Sequence, residues 1–130
     1  MLVGKLTTDT LHMRGLMAIA GVLCVAVLAV PAFGSPARTT SIGTWLDEGS
    51  LVLMRLSAPH GSVKFVVHNN GQDDHDLVVR RQGVQYGSTG RIASGGDTTL
   101  TVKLKPGIYN VYCSLPGHRQ TGMWVKLRVT

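Results

Sequence analysis

Gly107 to Met123 reads GIYNVYCSLPGHRQTGM, and its second part, Cys113 to Met123, decides how the rest of the chain is understood. Within one loop it offers a thiolate at Cys113, an imidazole at His118 and a thioether at Met123. Two of these three donors are soft sulfur groups of the kind that suit copper. Upstream of the loop, Tyr109, Val111 and Cys113 share one face of a strand, and downstream Val125, Leu127 and Val129 face one way with Lys126 and Arg128 the other. A metal-binding loop between two strands is therefore the first expectation.

Working backwards, the same period-2 pattern recurs. Leu100, Val102 and Leu104 alternate with Thr99, Thr101 and Lys103, and Lys105, Pro106 and Gly107 turn the chain. Val63, Phe65 and Val67 alternate with Lys64, Val66 and His68. Asn69, Asn70 and Gly71 then open a polar loop that runs through Asp74. His75 begins the next strand with the parity of Leu77 and Val79, which points it inward. Leu51 to Leu56 is expected to form a strand and Ser41 to Glu48 a first one, its signal weakened by Gly43 and by the closing Asp47 and Glu48. Arg80 to Gly96, rich in Gly, Ser and Gln, reads as a loop-rich crossing with a short edge strand around Arg91 and Ile92. The pattern predicts an all-β sandwich of about seven or eight short strands and no long helix.

The first forty residues differ. Lys5, His12 and Arg14 precede an apolar run from Leu16 to Val30, and the small residues Ala32, Gly34, Ser35 and Ala37 follow. That order is expected of a signal peptide over residues 1–34, leaving residues 35–130 as a single copper-binding domain. The alternative is a retained signal anchor, with membrane association through residues 15–33, since extension to Phe33 brings the run to about 18 residues. Either way the folded part is expected outside the cytoplasm, in the periplasm or at the cell surface. Cys24 lacks the small preceding residue of a lipoprotein site.

Removal of the leader leaves Cys113 as the sole cysteine. A lone thiol in an oxidising compartment is a liability unless something occupies it, and a bound metal would do so. From Ser35 onward eleven Lys and Arg stand against six Asp and Glu, a balance of +5 that favours an acidic protein partner or an anionic membrane surface. The basic residues are scattered singly without interleaved aromatics, so no nucleic-acid partner is expected.

His75, arriving from another strand, completes a His2Cys set with Cys113 and His118, and Met123 can stand as a weak fourth donor. At this point the chain resembles the cupredoxins, the small type 1 copper proteins that include plastocyanin, azurin, auracyanin and sulfocyanin. The resemblance spans roughly Val63 to Thr130 and rests on three groups of residues. Asn70, Gly71 and His75 form the first. Pro106, Gly107, Tyr109, Tyr112 and Cys113 form the second, and Pro116, Gly117, His118, Gly122 and Met123 the third.

The resemblance implies a two-sheet Greek-key sandwich with one type 1 copper ion bound by His75, Cys113, His118 and Met123. It also implies a one-electron carrier rather than an enzyme, whose redox protein partners dock near His118, framed by Leu115, Pro116 and Gly117. A monomer is expected. One departure is Asp76, which follows the first histidine where these families commonly carry Asn. It adds a negative charge near the thiolate while still able to accept a bond from Ser114.

Taken singly, Cys113 would pass for a buried structural thiol, Met123 for core filling and His75 for a satisfied core histidine. His60, in a turn, and His68, on an outer face, read as solvated surface residues. A cysteine hydrolase lacks an oxyanion motif, and zinc makes poor use of a thioether. The competing function is an extracytoplasmic copper carrier of the same fold without a committed redox-shuttle role.

Overall fold

The computed structural model describes residues 38–130. The expectations for a leader over residues 1–34, for membrane association through residues 15–33 and for the boundary at residue 35 lie outside the described residues.

Nine strands form among the described residues: β1 Thr40–Asp47, β2 Ser50–Leu53, β3 Ser57–Ala58, β4 Gly61–Asn69, β5 Val78–Arg81, β6 Val84–Ser88, β7 Asp97–Leu104, β8 Gly107–Tyr112 and β9 Trp124–Val129. They build a four-stranded sheet in the order β2-β1-β4-β7 and a five-stranded sheet in the order β3-β9-β8-β5-β6. Two pairings, β1 with β4 and β3 with β9, are parallel, and the rest are antiparallel.

The alternation read from the sequence is the alternation of burial. Val63, Phe65 and Val67 of β4 are buried, and so are Val102 and Leu104 of β7 and Tyr109 and Val111 of β8. Leu127 and Val129 of β9 meet them in one core that both sheets share. Each such side chain contributes on the order of 1.5–3 kcal/mol by leaving water. Tyr109 keeps its polar tip satisfied inside this core, because its hydroxyl accepts the Lys105 N–H at 3.1 Å and donates to the Lys105 carbonyl at 2.9 Å.

Three details differ from the sequence reading. Leu51 to Leu56 is not one strand: β2 stops at Leu53 and the chain crosses to the other sheet, where β3 pairs with β9. Strand β5 starts at Val78, and His75 precedes it in an isolated bridge with Ile92. Within Arg80 to Gly96 the edge strand is β6, joined to β5 through Gln82 and Gly83 at φ 48° and 82°. Positive φ at both central residues is the mark of a type I′ hairpin.

Candidate metal centre

The sandwich presents the loop Cys113 to Met123 between the end of β8 and the start of β9. Its base is closed by the Cys113 N–H donating to the Met123 carbonyl at 3.0 Å. Further in, the Met123 N–H donates to the His118 carbonyl at 3.1 Å, and the His118 N–H to that of Leu115 at 3.2 Å. The Thr121 hydroxyl donates to the same His118 carbonyl at 2.8 Å. Donors spaced along the sequence are thus folded back on one another by backbone bonds, which fixes where each side chain can point.

His75 arrives from a loop organised by Asn69, a fully buried residue at the end of β4. The Asn69 amide donates to the carbonyls of Asp73 and Ile92, both at 2.8 Å, and its oxygen accepts the Gly71 N–H at 3.0 Å. His75 itself exchanges two backbone bonds with Ile92, at 3.1 and 2.7 Å. The imidazole is fully buried as expected, but Asp76 and Val78 of the opposite parity are buried too, so the whole segment rather than strand alternation places it inside.

These two loops bring one donor atom from each of His75, Cys113 and His118 within 4.8 Å of the others. The two Nδ1 atoms of His75 and His118 are 3.0 Å apart, and His118 Nδ1 is 3.6 Å from Cys113 Sγ. Nitrogen and thiolate donors bind late first-row metals such as zinc at about 2.0 and 2.3 Å, which sets neighbouring donors roughly 3–4 Å apart. The observed separations are those of such a shell.

Cys113 is buried and forms no disulfide. Burial above all pushes its thiol pKa up, with a contribution from the Asp76 carboxylate, while the backbone N–H groups of Asp76 and Leu115 pull the other way. The Asp76 N–H reaches Sγ at 3.5 Å. A cation held by Cys113 would favour its thiolate over its thiol. Two imidazole nitrogens, one buried thiol and a neighbouring thioether residue fit type 1 copper.

Of the four residues singled out in the sequence, His75, Cys113 and His118 gather directly. Met123 is fully buried, and its backbone bonds to both Cys113 and His118 set it beside them. His60 is exposed and bonds the Thr130 carbonyl through Nδ1 at 3.0 Å. His68 Nδ1 pairs with Asp97 at 2.7 Å, and its ring meets Trp45 edge-on at 5.3 Å, so neither histidine joins the cluster.

Two contributors escaped the sequence reading. In the sequence Asn69 only opens the polar loop after a strand, and Glu48 only closes a weak one. Glu48 Oε1 instead accepts the N–H groups of Gln72 at 2.5 Å and Asp73 at 2.9 Å. The Asp73 N–H foremost, with help from Gln72, holds the carboxyl down at about 2. An open cleft of about 360 Å³ lies beside the centre, lined by Glu48, Gly49, Asp73, His75, His118 and Thr121.

The sulfocyanin (SoxE) domain matches residues 72–130, which include all four candidate ligands. The iron uptake system component EfeO of Yersinia pseudotuberculosis serotype I is 28% identical over 96 residues, covering 72% of this chain. The match takes in 26% of that protein, so the chain spans about a quarter of its length.

Among solved structures, rusticyanin from Thiobacillus ferrooxidans superposes with a TM-score of 0.64 at 20% identity, over 73% of this chain and 79% of its own. Reduced auracyanin from Roseiflexus castenholzii gives 0.57 at 17% identity, over 75% of this chain and 99% of its own. Auracyanin A from Chloroflexus aurantiacus, described as a "blue" copper protein, gives 0.59 at 14%, over 72% and 100%. At these identities the likeness is one of fold. The chain therefore has the fold of these copper proteins, clusters His75, Cys113 and His118 at its loops, and is similar to the sulfocyanin domain over residues 72–130.

Proposed function

We propose that the chain is a one-electron carrier with a type 1 copper held by His75, Cys113, His118 and Met123, working between redox partners outside the cytoplasm. The observation that carries this reading is the convergence of two imidazole nitrogens and one buried thiol within 4.8 Å, on loops rooted in a rigid sandwich. Bound copper supplies a couple between Cu(I) and Cu(II). The chain's own residues supply a fixed cage: Cys113 is tied to the base of the loop and His75 to Ile92, so little rearrangement opposes a change of charge.

His118 is the half-buried member of the set, with exposed Pro116 and Gly117 and partly buried Leu115 before it. A partner docking on these residues comes against the imidazole edge, which makes His118 the exit for the electron. Arg119 lies 4.7 Å over the Tyr112 ring and places a positive charge beside that exit. Together with the basic balance of the domain, it suits an acidic redox protein. The role is carriage rather than catalysis, performed by a monomer. Residues 1–34 export the domain, either as a cleaved signal peptide or as an anchor through residues 15–33.

The test is the visible absorption and electron paramagnetic resonance of the chain loaded with Cu(II). An intense thiolate-to-copper band that bleaches on reduction and returns on oxidation is the expected result. Stoichiometric copper with no visible band would overturn the proposal, and a colourless Cu(I) protein resisting oxidation would favour a copper carrier.

A further inference from the structure

The Nδ1 edge of His75 faces the cluster, and its other edge is unaccounted for. Nε2 is buried and has no hydrogen-bond partner among the described residues. Buried polar atoms are nearly always paired, so an orphan of this kind asks for an explanation. Glu48 Oε1 stands 3.6 Å away, outside hydrogen-bond length and inside ion-pair range.

That oxygen is held in place. Glu48 lies in the turn between β1 and β2, and the Gln72 and Asp73 N–H groups fix its Oε1 over the His75 loop. The same turn is tied down again by the Asn70 amide, which donates to Asp47 Oδ2 at 3.3 Å, and by the Asn70 N–H, which donates to the Leu46 carbonyl at 2.8 Å. Gly71 is what lets the two groups approach. A Cβ at this position would lie 2.5 Å from Glu48 Oε1 and 2.7 Å from His75 Nε2, between the carboxylate and the ring.

We propose that Glu48 is a positioning residue of the metal centre, whose carboxylate faces the Nε2–H edge of His75, fixes the tautomer that turns Nδ1 to the ion, and biases the centre towards its oxidised state. Metal-ligating histidines are commonly oriented and made more basic through their second nitrogen in this way. The arrangement is self-consistent in protons. With the proton on Nε2, His75 Nδ1 is an acceptor, and a single proton from His118 Nδ1 fills the 3.0 Å contact between the two rings.

The effect on copper rests on the copper reading above, but the tautomer does not. Nitrogen-15 NMR of the copper-free full chain reads it directly: His75 is expected as the Nε2–H form in the wild type and as a mixture in Glu48→Ala. Glu48→Gln keeps an oxygen for the Gln72 and Asp73 N–H groups and removes only the charge. It is expected to retain slow exchange at those two amides, to lower Cu(II) affinity about 10- to 100-fold in a competition titration and to raise the reduction potential. An Nδ1–H tautomer in the wild type, or affinity and potential unchanged in Glu48→Gln, would overturn the proposal. A chain that binds no copper, yet whose His75 tautomer shifts in Glu48→Ala, would sink the copper reading and leave the Glu48 and His75 pairing standing.

Discussion

The Asp76 carboxylate grips Ser114 at two points, Oδ1 accepting the backbone N–H at 2.6 Å and Oδ2 accepting the hydroxyl. Asp76 follows one candidate ligand and Ser114 follows another, so this single side chain locks the His75 loop to the Cys113 loop. Asp76→Asn retains one acceptor for the Ser114 N–H while removing a negative charge near the thiolate. A unit charge about 5 Å away in an effective dielectric of about 20 is worth roughly 3 kcal/mol. Its removal is expected to raise the reduction potential, as voltammetry would read. An unchanged or lower potential would show that the charge is not felt at the metal.

Asn69 makes a prediction about the fold of the site rather than its electronics. Its buried amide satisfies the carbonyls of Asp73 and Ile92 and the N–H of Gly71. Asn69→Ala strands the Asp73 carbonyl and the Gly71 N–H, leaves the Ile92 carbonyl with only the His75 N–H, and is expected to cost about 2–4 kcal/mol. Thermal unfolding of the copper-free chain should then show Tm lowered by more than about 10 °C. A wild-type Tm would mean that water replaces the amide at no cost.

The parts of this site that the sequence made legible are those that covalent spacing controls. Cys113, His118 and Met123 share one short loop, whereas His75 points inward as expected but from ahead of β5, in a segment buried at both parities. Glu48 and Asn69 were opaque for the opposite reason. Their roles depend on which turn lies over which loop, and a turn acid 24 residues from Gln72 carries no local sign of it. The β5 and β6 hairpin was hidden by its chemistry. Gln82 is not a residue that advertises positive φ, and the alternation of Val84, Gln85 and Tyr86 is only three residues long before Gly87 and Ser88, too short to stand out in a Gly- and Ser-rich stretch.

Cys113→Ser separates the site from the fold. The hydroxyl nearly matches the thiol in size but is a poorer donor to copper, so the visible band should vanish and copper affinity should fall. Burying a hydroxyl there costs about 1–3 kcal/mol, which leaves the sandwich folded by circular dichroism. Persistence of the band would place the thiolate of Cys113 outside the metal's coordination.

Met123 is the candidate ligand whose sulfur has the most ordinary alternative use, because a fully buried methionine at the base of a loop also fills space. Met123→Leu distinguishes the two roles. Leucine conserves most of the volume, so the copper-free chain should lose less than about 1.5 kcal/mol of stability. If the thioether is a weak axial donor, its loss withdraws electron density that favours the oxidised ion. The variant then keeps its copper and its colour while its reduction potential rises. A variant with unchanged potential and spectrum would make Met123 a core residue and leave His75, Cys113 and His118 as the whole donor set.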